Sequence, residues 1–293
     1  MEFKKYTDII RHGKNGTHLT LETAKEIVIQ EKLDGANASF KVKDGEVLAF
    51  SRNTQLDEGN GLRGFREWTL TLDGNQLEEG KIYFGEWLVQ HKLNYGAHNM
   101  NQFYLFDVYD ELTGQYLHFK EVEEEASRLD INLIPVFYHG PPLPIEEIEK
   151  FVGKSFLPAN EIGEGVVVKN YSYKNKHDFQ VFTKIVSKDF QEKNGVKNPK
   201  GAVKKKDSFD QFLDTYMTKA RVEKTIHKMV DEQELHEDYA IEDMGQILKG
   251  AGTRVYEDLI KEELDSLLKQ LRGKVGKRLP VIVKDVLVEQ HRA

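Results

Sequence analysis

Two periodicities divide the chain. Up to about residue 190, apolar residues come in short, partly alternating runs rich in β-branched and aromatic side chains, which read as strands. Ala38 to Arg52 reads as a hairpin, with ASFKV and VLAFSR joined across Lys43-Asp44-Gly45-Glu46. An Asp-Gly pair tolerates the positive φ of a tight turn. Further strands are expected at 81–88 (KIYFGEWL), 103–109, 133–138, 165–170 and 179–186. Helical patterns lie at 21–26, 120–130 and 145–152, the last set up by Pro144.

The character changes after residue 190. Residues 191–206 are rich in Gly, Pro and Lys, show no periodicity, and read as a hinge or linker. From Ser208 onward the pattern is helical. Ile260, Leu264, Leu267, Leu268 and Leu271 share one helical face, read as core. Gly250-Ala251-Gly252 is expected to separate two helices, and Pro280 to start a last short one, docked through Val281 to Val288. The organisation is an α+β domain over 1–190, a basic linker over 191–206 and a small all-α domain over 207–293.

Composition narrows the class. The 293 residues are 39% hydrophobic and 31% charged, enough to bury a core without staples. There is no cysteine, which excludes disulfides and thiolate metal sites; a reducing cytoplasm is the simplest home. No stretch has the length of a membrane span, so no membrane partner is expected, and nothing signals self-association, so a monomer is expected. The net charge of −7 argues against a general nucleic-acid coat, yet Lys188, Lys193, Lys197, Lys200 and Lys204–Lys206 concentrate positive charge locally. That segment is either a phosphate contact or a solvated linker.

The candidate chemistry starts at residues 31–37, EKLDGAN. Lys32 ends an apolar run just before a tight Asp-Gly step. An amine mounted at a strand end, beside a glycine that admits a phosphate, suits a covalent nucleophile. A free lysine is protonated at neutral pH, so converging cations would be needed to discharge it. Arg52, Lys169 and Lys184 are the candidates. In isolation the tetrapeptide reads rather as a surface lysine before a turn.

The ordered set that follows gives it weight: Ser51-Arg52, FGEW at 84–87, YLFDVY at 104–109, EGVVVK at 164–169 and TKIV at 183–186. Together with EKLDGAN these resemble the motifs of covalent nucleotidyltransferases, the superfamily of ATP-dependent DNA ligases, RNA ligases and mRNA capping enzymes. Within it the chain most resembles the RNA ligase 2 type. The nucleophile lies near the N-terminus, Asn37 follows the motif glycine, and the segment after the last motif is helical rather than β-rich.

The resemblance implies an ATP-grasp-like ligase domain of antiparallel sheets with flanking helices. It also implies roles. Lys32 attacks the α-phosphate of ATP and holds AMP as a phosphoramidate, and Glu31 and Leu33 flank the nucleotide. Asn37 orients phosphate. Arg52 contacts the sugar or grips an RNA 5′-phosphate. Glu86 meets a ribose hydroxyl, and Phe106 stacks on adenine, although from the residues alone a core phenylalanine is the better reading there. Glu164 is the candidate ligand for Mg²⁺ or Mn²⁺. Lys169 is placed at the nucleotide, although five residues along a strand would turn it away from Glu164 unless the Gly165 step twists the chain. Lys184 binds the α-phosphate. Many relatives carry a second lysine two residues on, where this chain has Val186. The helical domain is implied to engage an RNA duplex, for sealing more than for self-adenylylation. The expected function is therefore ATP-dependent joining of RNA 3′-OH and 5′-phosphate ends. A DNA ligase or capping enzyme of the same superfamily, or a non-catalytic binding module, are the alternatives.

Overall fold

The structure is a computed structural model and describes residues 4–14, 17–157, 162–175, 177–187, 190 and 208–290. The basic segment 191–206, and Lys188 with it, lie outside the described residues.

Two sheets carry the first part of the chain. The strands and helices run β1 (Ile10–Arg11), α1 (Leu19–Glu22), β2 (Ile27–Lys32), β3 (Ala36–Lys43), β4 (Glu46–Ser51), α2 (Phe65–Thr69), β5 (Lys81–Trp87) and β6 (Phe103–Asp110). They continue with β7 (Gln115–Tyr116), α3 (Phe119–Arg128), β8 (Asn132–Leu133), β9 (Val136–Gly140), α4 (Ile145–Glu149), β10 (Gly165–Lys169) and β11 (Thr183–Val186). One sheet has the order β1-β11-β10-β2-β9, the other β4-β3-β5-β6-β7 with β8 beside β6. All these pairings are antiparallel except β1 with β11 and β6 with β8.

The expected hairpin forms, with Asp44 and Gly45 both at positive φ in its turn. The strand expected at 133–138 is two strands, because the chain crosses there from one sheet to the other. Pro135 lies at the crossing, where a residue without an N–H costs no ladder bond; its carbonyl accepts from the Glu31 amide, 2.8 Å away. The strand expected at 179–186 starts only at Thr183, the helix expected at 21–26 is a single turn shifted to Leu19–Glu22, and the one expected at 145–152 starts as expected but ends at Glu149.

Three apolar layers hold the sheets. Phe40, Tyr83, Trp87 and Phe103 pack with Phe65 and Val122 on the outer face of the second sheet, under α2 and α3. Ile27, Ile29, Val166 and Val168 pack on the outer face of the first, under α1 and α4. Between the sheets lie Tyr6, Leu33, Phe84, Phe106, Val167 and Phe182. Each fully buried side chain of this size contributes about 1.5–3 kcal/mol, so the strand that carries Lys32 is fixed from both faces.

The remainder is helical: α5 (Ser208–Tyr216), α6 (Lys219–Asp231) and α7 (Met244–Gln290). Two expectations are corrected here. Gly250-Ala251-Gly252 does not divide two helices but lies inside α7. Ala251 is buried against Met229 of α6, and a Cβ on Gly250 would collide with the same methionine, so the small residues serve close helix packing. Pro280 also lies within α7, which continues past it to Gln290. Nor is this end docked: Leu264, Leu268 and Leu271, with Val281 to Val283, are exposed, and α7 joins the small core of Phe212 and Tyr216 only as far as Leu267. Among the described residues no helix is long and apolar enough to cross a membrane.

Candidate active site

β2 delivers Lys32 to the mouth of the space between the sheets. The chain then turns through Leu33, Asp34 and Gly35 into β3. The turn is tied down on all sides. The Asp34 amide donates to the Tyr95 hydroxyl (2.8 Å), the Asp34 carboxylate accepts from the Leu93 amide (2.9 Å), and the Gly35 amide donates to Glu86 Oε1 (3.0 Å). A Cβ on Gly35 would lie 2.7 Å from the Trp87 carbonyl oxygen and 3.0 Å from Glu86 Cγ, so only glycine fits. Its role here is to let the turn after Lys32 lie against β5.

A cavity of about 720 Å³ opens at this turn. Glu31, Lys32, Leu33, Asn37, Arg52, Glu86, Phe106, Glu164, Lys169 and Lys184 all line it. All ten residues singled out from the sequence therefore meet at one site. They come from β2, β3, the end of β4, β5, β6, β10 and β11. Asn37 lies opposite Glu86 across the β3–β5 ladder, and Lys32 opposite Gly165 across the β2–β10 ladder. Glu164 and Lys169 both reach the cavity because Glu164 precedes β10, so strand alternation does not govern it.

The charges are arranged differently from the expected ring of cations around Lys32. Its ammonium lies 2.7 Å from Glu164 Oε2. Burial draws its pKa down, but the Glu164 and Glu86 carboxylates outweigh this and hold it above the ordinary lysine value. Glu86 is pushed up to about 7 by burial, against the pull of Lys32. Glu164 is raised, mainly by burial. Carboxylates, not cations, are the nearest charged neighbours, and they keep the amine protonated in this state.

The other expected residues are held as follows. Glu31 is buried and accepts from the Phe156 amide (2.9 Å) and from Ser155 Oγ (2.5 Å). Arg52 donates to Asp8 Oδ1 at 2.8 Å. Phe106 is both core and wall, packed 4.7 Å from the Tyr6 ring while facing the cavity. Lys169 is fully buried and donates to Asp107 Oδ2 (2.6 Å) and to the Phe106 carbonyl (2.8 Å). Burial lowers its pKa and Asp107 offsets this. Lys184 pairs with Glu262 of α7 at 3.2 Å.

Several residues here were not singled out from the sequence. Asp107, wholly buried, also accepts from the hydroxyls of Tyr6 and Tyr171 (2.7 Å for Tyr171). The signal for it was present: an aspartate inside the apolar strand YLFDVY. The helical part also contributes, roofing the cavity with Glu223, Lys224, His227 and Lys228 of α6 and Glu262 of α7. On one edge His91 bridges Asp34 (3.6 Å) and Asp231 of α6 (3.2 Å) and stacks on His227, ring centroids 4.7 Å apart. Burial draws the His91 pKa down, but the two aspartates push it up to about 9. On the other edge Glu263, fully buried, meets Arg11 (3.3 Å) and Lys14 (2.7 Å).

Among the described residues no three His, Asp or Glu side chains form a ready-made metal cluster. Glu86 and Glu164 nevertheless suit a hard divalent cation that takes its remaining ligands from phosphate oxygens and water. Burial, the main cause of the raised pKa of both, disfavours leaving either carboxylate charged without a cationic partner.

A protein of the Autographa californica nuclear polyhedrosis virus, Protein Early 65 kDa, is 26% identical over 190 residues, 59% of this chain and 33% of that protein. A Naegleria gruberi RNA ligase solved with PPi is 21% identical, with a TM-score of 0.48, covering 64% of this chain and 57% of that one. A variant of that ligase solved with ATP and Mn is 20% identical, with a TM-score of 0.46, over 63% and 56%. The chain thus spans a third of the viral protein's length and little more than half of the ligase's. A family model described as RNA ligase matches residues 25–186, just over half of the chain and the whole stretch from β2 to β11. The chain belongs to the RNA ligase family.

Proposed function

We propose that the protein is an ATP-dependent RNA ligase that joins 3′-OH and 5′-phosphate RNA ends, at nicks in duplexes, through a covalent lysyl-AMP. The observation that carries this reading is the convergence of all ten motif residues on one cavity with Lys32 at its mouth.

Three transfers follow from that placement. The Lys32 amine, having lost a proton, bonds to the α-phosphorus of ATP. The bond from that phosphorus to the bridging oxygen breaks, and pyrophosphate leaves with the electron pair. Lys184 and Arg52 oppose the charge that gathers on the phosphate oxygens. AMP then passes to the RNA 5′-phosphate oxygen, which frees Lys32 and leaves an AMP-capped end. The 3′-OH attacks the capped phosphorus, a phosphodiester forms, and AMP departs. Phe106 and Glu31 bound the base end of the cavity, and Asn37 and Glu86 lie side by side near the Lys32 turn. A divalent cation, when bound at Glu164 and Glu86, supplies positive charge that competes with the Lys32 ammonium for the carboxylates and favours the free amine.

The test uses nicked duplexes that differ only in whether the strands at the nick are RNA or DNA, with ATP and a divalent cation. Sealing of the RNA-ended nick is expected. Sealing only of DNA ends, or cap transfer from GTP in place of sealing, assigns the chain to another branch of the chemistry and overturns the reading.

A further inference from the structure

We propose that Lys261 of α7 and Arg52 form a two-cation site for the 5′-phosphate of the RNA strand that receives AMP, with Asp8 holding the place of that phosphate. The inference rests on the function proposed above and deepens it.

The site is built at the seam between the sheets and α7. Arg52 follows β4, in a turn closed by the Ser51 amide, which donates to the Thr54 carbonyl at 2.9 Å. Asp8 lies two residues before β1. Lys261 is carried on a turn of α7 that is anchored by the two residues after it. Glu262 pairs with Lys184 at 3.2 Å, and the fully buried Glu263 meets Lys14 at 2.7 Å, Arg11 at 3.3 Å and Arg221 at 3.5 Å. Between these supports Arg52 Nη2 donates to Asp8 Oδ1 at 2.8 Å, and Lys261 Nζ lies 2.5 Å from Asp8 Oδ2. Two cations from distant parts of the chain thus meet on the two oxygens of one carboxylate, and all three residues line the cavity.

Charge and position both point to a strand phosphate. Asp8 sets one negative charge against two positive ones. A terminal phosphate carries close to two negative charges and has three oxygens to share, so it matches the pair of cations better. The site also lies at the mouth of the cavity. The side chains of Asp8, Arg52 and Lys261 are 45%, 36% and 56% exposed, against 24% for Lys32, 13% for Glu164 and 10% for Lys184. A nucleotide joined to Lys32 fills the inner end, and a polynucleotide arrives from the outer one. Exposed ion pairs contribute little stability, so the contacts to Asp8 open readily. The incoming phosphate then takes the planar fork of Arg52 and the point charge of Lys261 from Asp8. The helical domain thereby supplies one of the two cations that hold the acceptor end during AMP transfer.

The test uses the full chain, charged with AMP and freed of ATP, and follows AMP transfer to a nicked duplex with an RNA 5′-phosphate. Lys261→Ala is expected to raise the nick concentration at half-maximal transfer roughly tenfold, the scale of one charge-assisted contact. It should also reduce the slope of log affinity against log salt by about one, as loss of one phosphate contact requires. Lys261→Arg should recover most of the affinity, and self-labelling by ATP should slow less than twofold in Lys261→Ala. Asp8→Asn keeps both cations and removes the charge between them, so it should bind the nick at least as tightly as the unsubstituted protein. Unchanged transfer by Lys261→Ala overturns the proposal. So does labelling slowed as much as transfer, which assigns the cation to the phosphates of ATP. Equal weakening by Asp8→Asn and Lys261→Ala also overturns it, because it marks the bridge as a docking contact alone. Failure of the unsubstituted protein to label at all refutes the proposed ligase function instead.

Discussion

The floor and the roof of the cavity both use buried charge, but they use it in opposite ways. In the floor the pairs are internal to the two sheets. Asp107 is fully buried and receives Lys169, Tyr6 and Tyr171, so both of its carboxylate oxygens face a donor. Lys32 and Glu164 pair across neighbouring strands. At the roof the pairs cross between the sheets and the helices: Lys184 to Glu262, Arg11 and Lys14 to Glu263, His91 to Asp231. The difference teaches what each half is for. A matched, desolvated pair fixes a wall. On the proposed function, a pair across the roof draws on a cation that a phosphate chain would also use, which would make Glu262 and a phosphate group alternatives at Lys184.

The largest effect should come from breaking the floor. Asp107→Ala leaves the Lys169 ammonium buried without its carboxylate and should cost about 3–5 kcal/mol. Chemical denaturation measures it. Pairing Asp107→Leu with Lys169→Met should recover part of that loss, because an apolar pair removes the stranded charge. A loss below about 1 kcal/mol in the single variant, the range of exposed pairs, would erase the contrast between floor and roof.

A smaller effect is expected at the roof. Glu262→Gln removes the competing charge at Lys184 while leaving an amide oxygen that can accept from the ammonium. It should tighten ATP binding roughly three- to tenfold, since an interaction of about 1.4 kcal/mol corresponds to tenfold. Titration of the first-step rate against ATP reads this directly. Weaker binding would show that Glu262 supports the nucleotide site rather than competing with it.

The smallest effect is a pH dependence of roof docking. The folded-state pKa of His91 is raised from 6.5 to about 9. Its contribution to the contact with Asp34 and Asp231 is therefore fully present below pH 6.5 and is lost as pH rises through about 9. Hydrogen exchange in α6, corrected for intrinsic rates, should quicken over that window and stay flat in His91→Gln. Equal pH dependence in both proteins would place the titrating group elsewhere.

The sheets and the motif residues of the floor were legible because their signals are local; Asp107 was not singled out, because nothing in its strand points to the Tyr6, Lys169 and Tyr171 donors that the fold brings to it. The Asp-Gly turn sets the β3–β4 hairpin, and the β-branched and aromatic runs set the central strands. Most of the ordered motifs end or begin a strand, YLFDVY lying within β6, and the topology then brings them together. The roof was not legible, because Glu262 and Lys184 are 78 residues apart and neither has a pattern that points to the other. The glycines within 250–252 misled for a related reason. A helix breaker and a helix-packing residue look alike until the partner, here Met229, is in place. The expected discharge of Lys32 by cations failed on one point of geometry, that Glu164 lies just ahead of its strand and so turns toward the amine.

Intact-mass measurement after incubation with ATP and a divalent cation tests the central claim most directly. The account predicts one added AMP per chain, released by acid as expected of a phosphoramidate and absent from Lys32→Ala. An adduct that persists in Lys32→Ala, or no adduct on the unsubstituted protein, would contradict it.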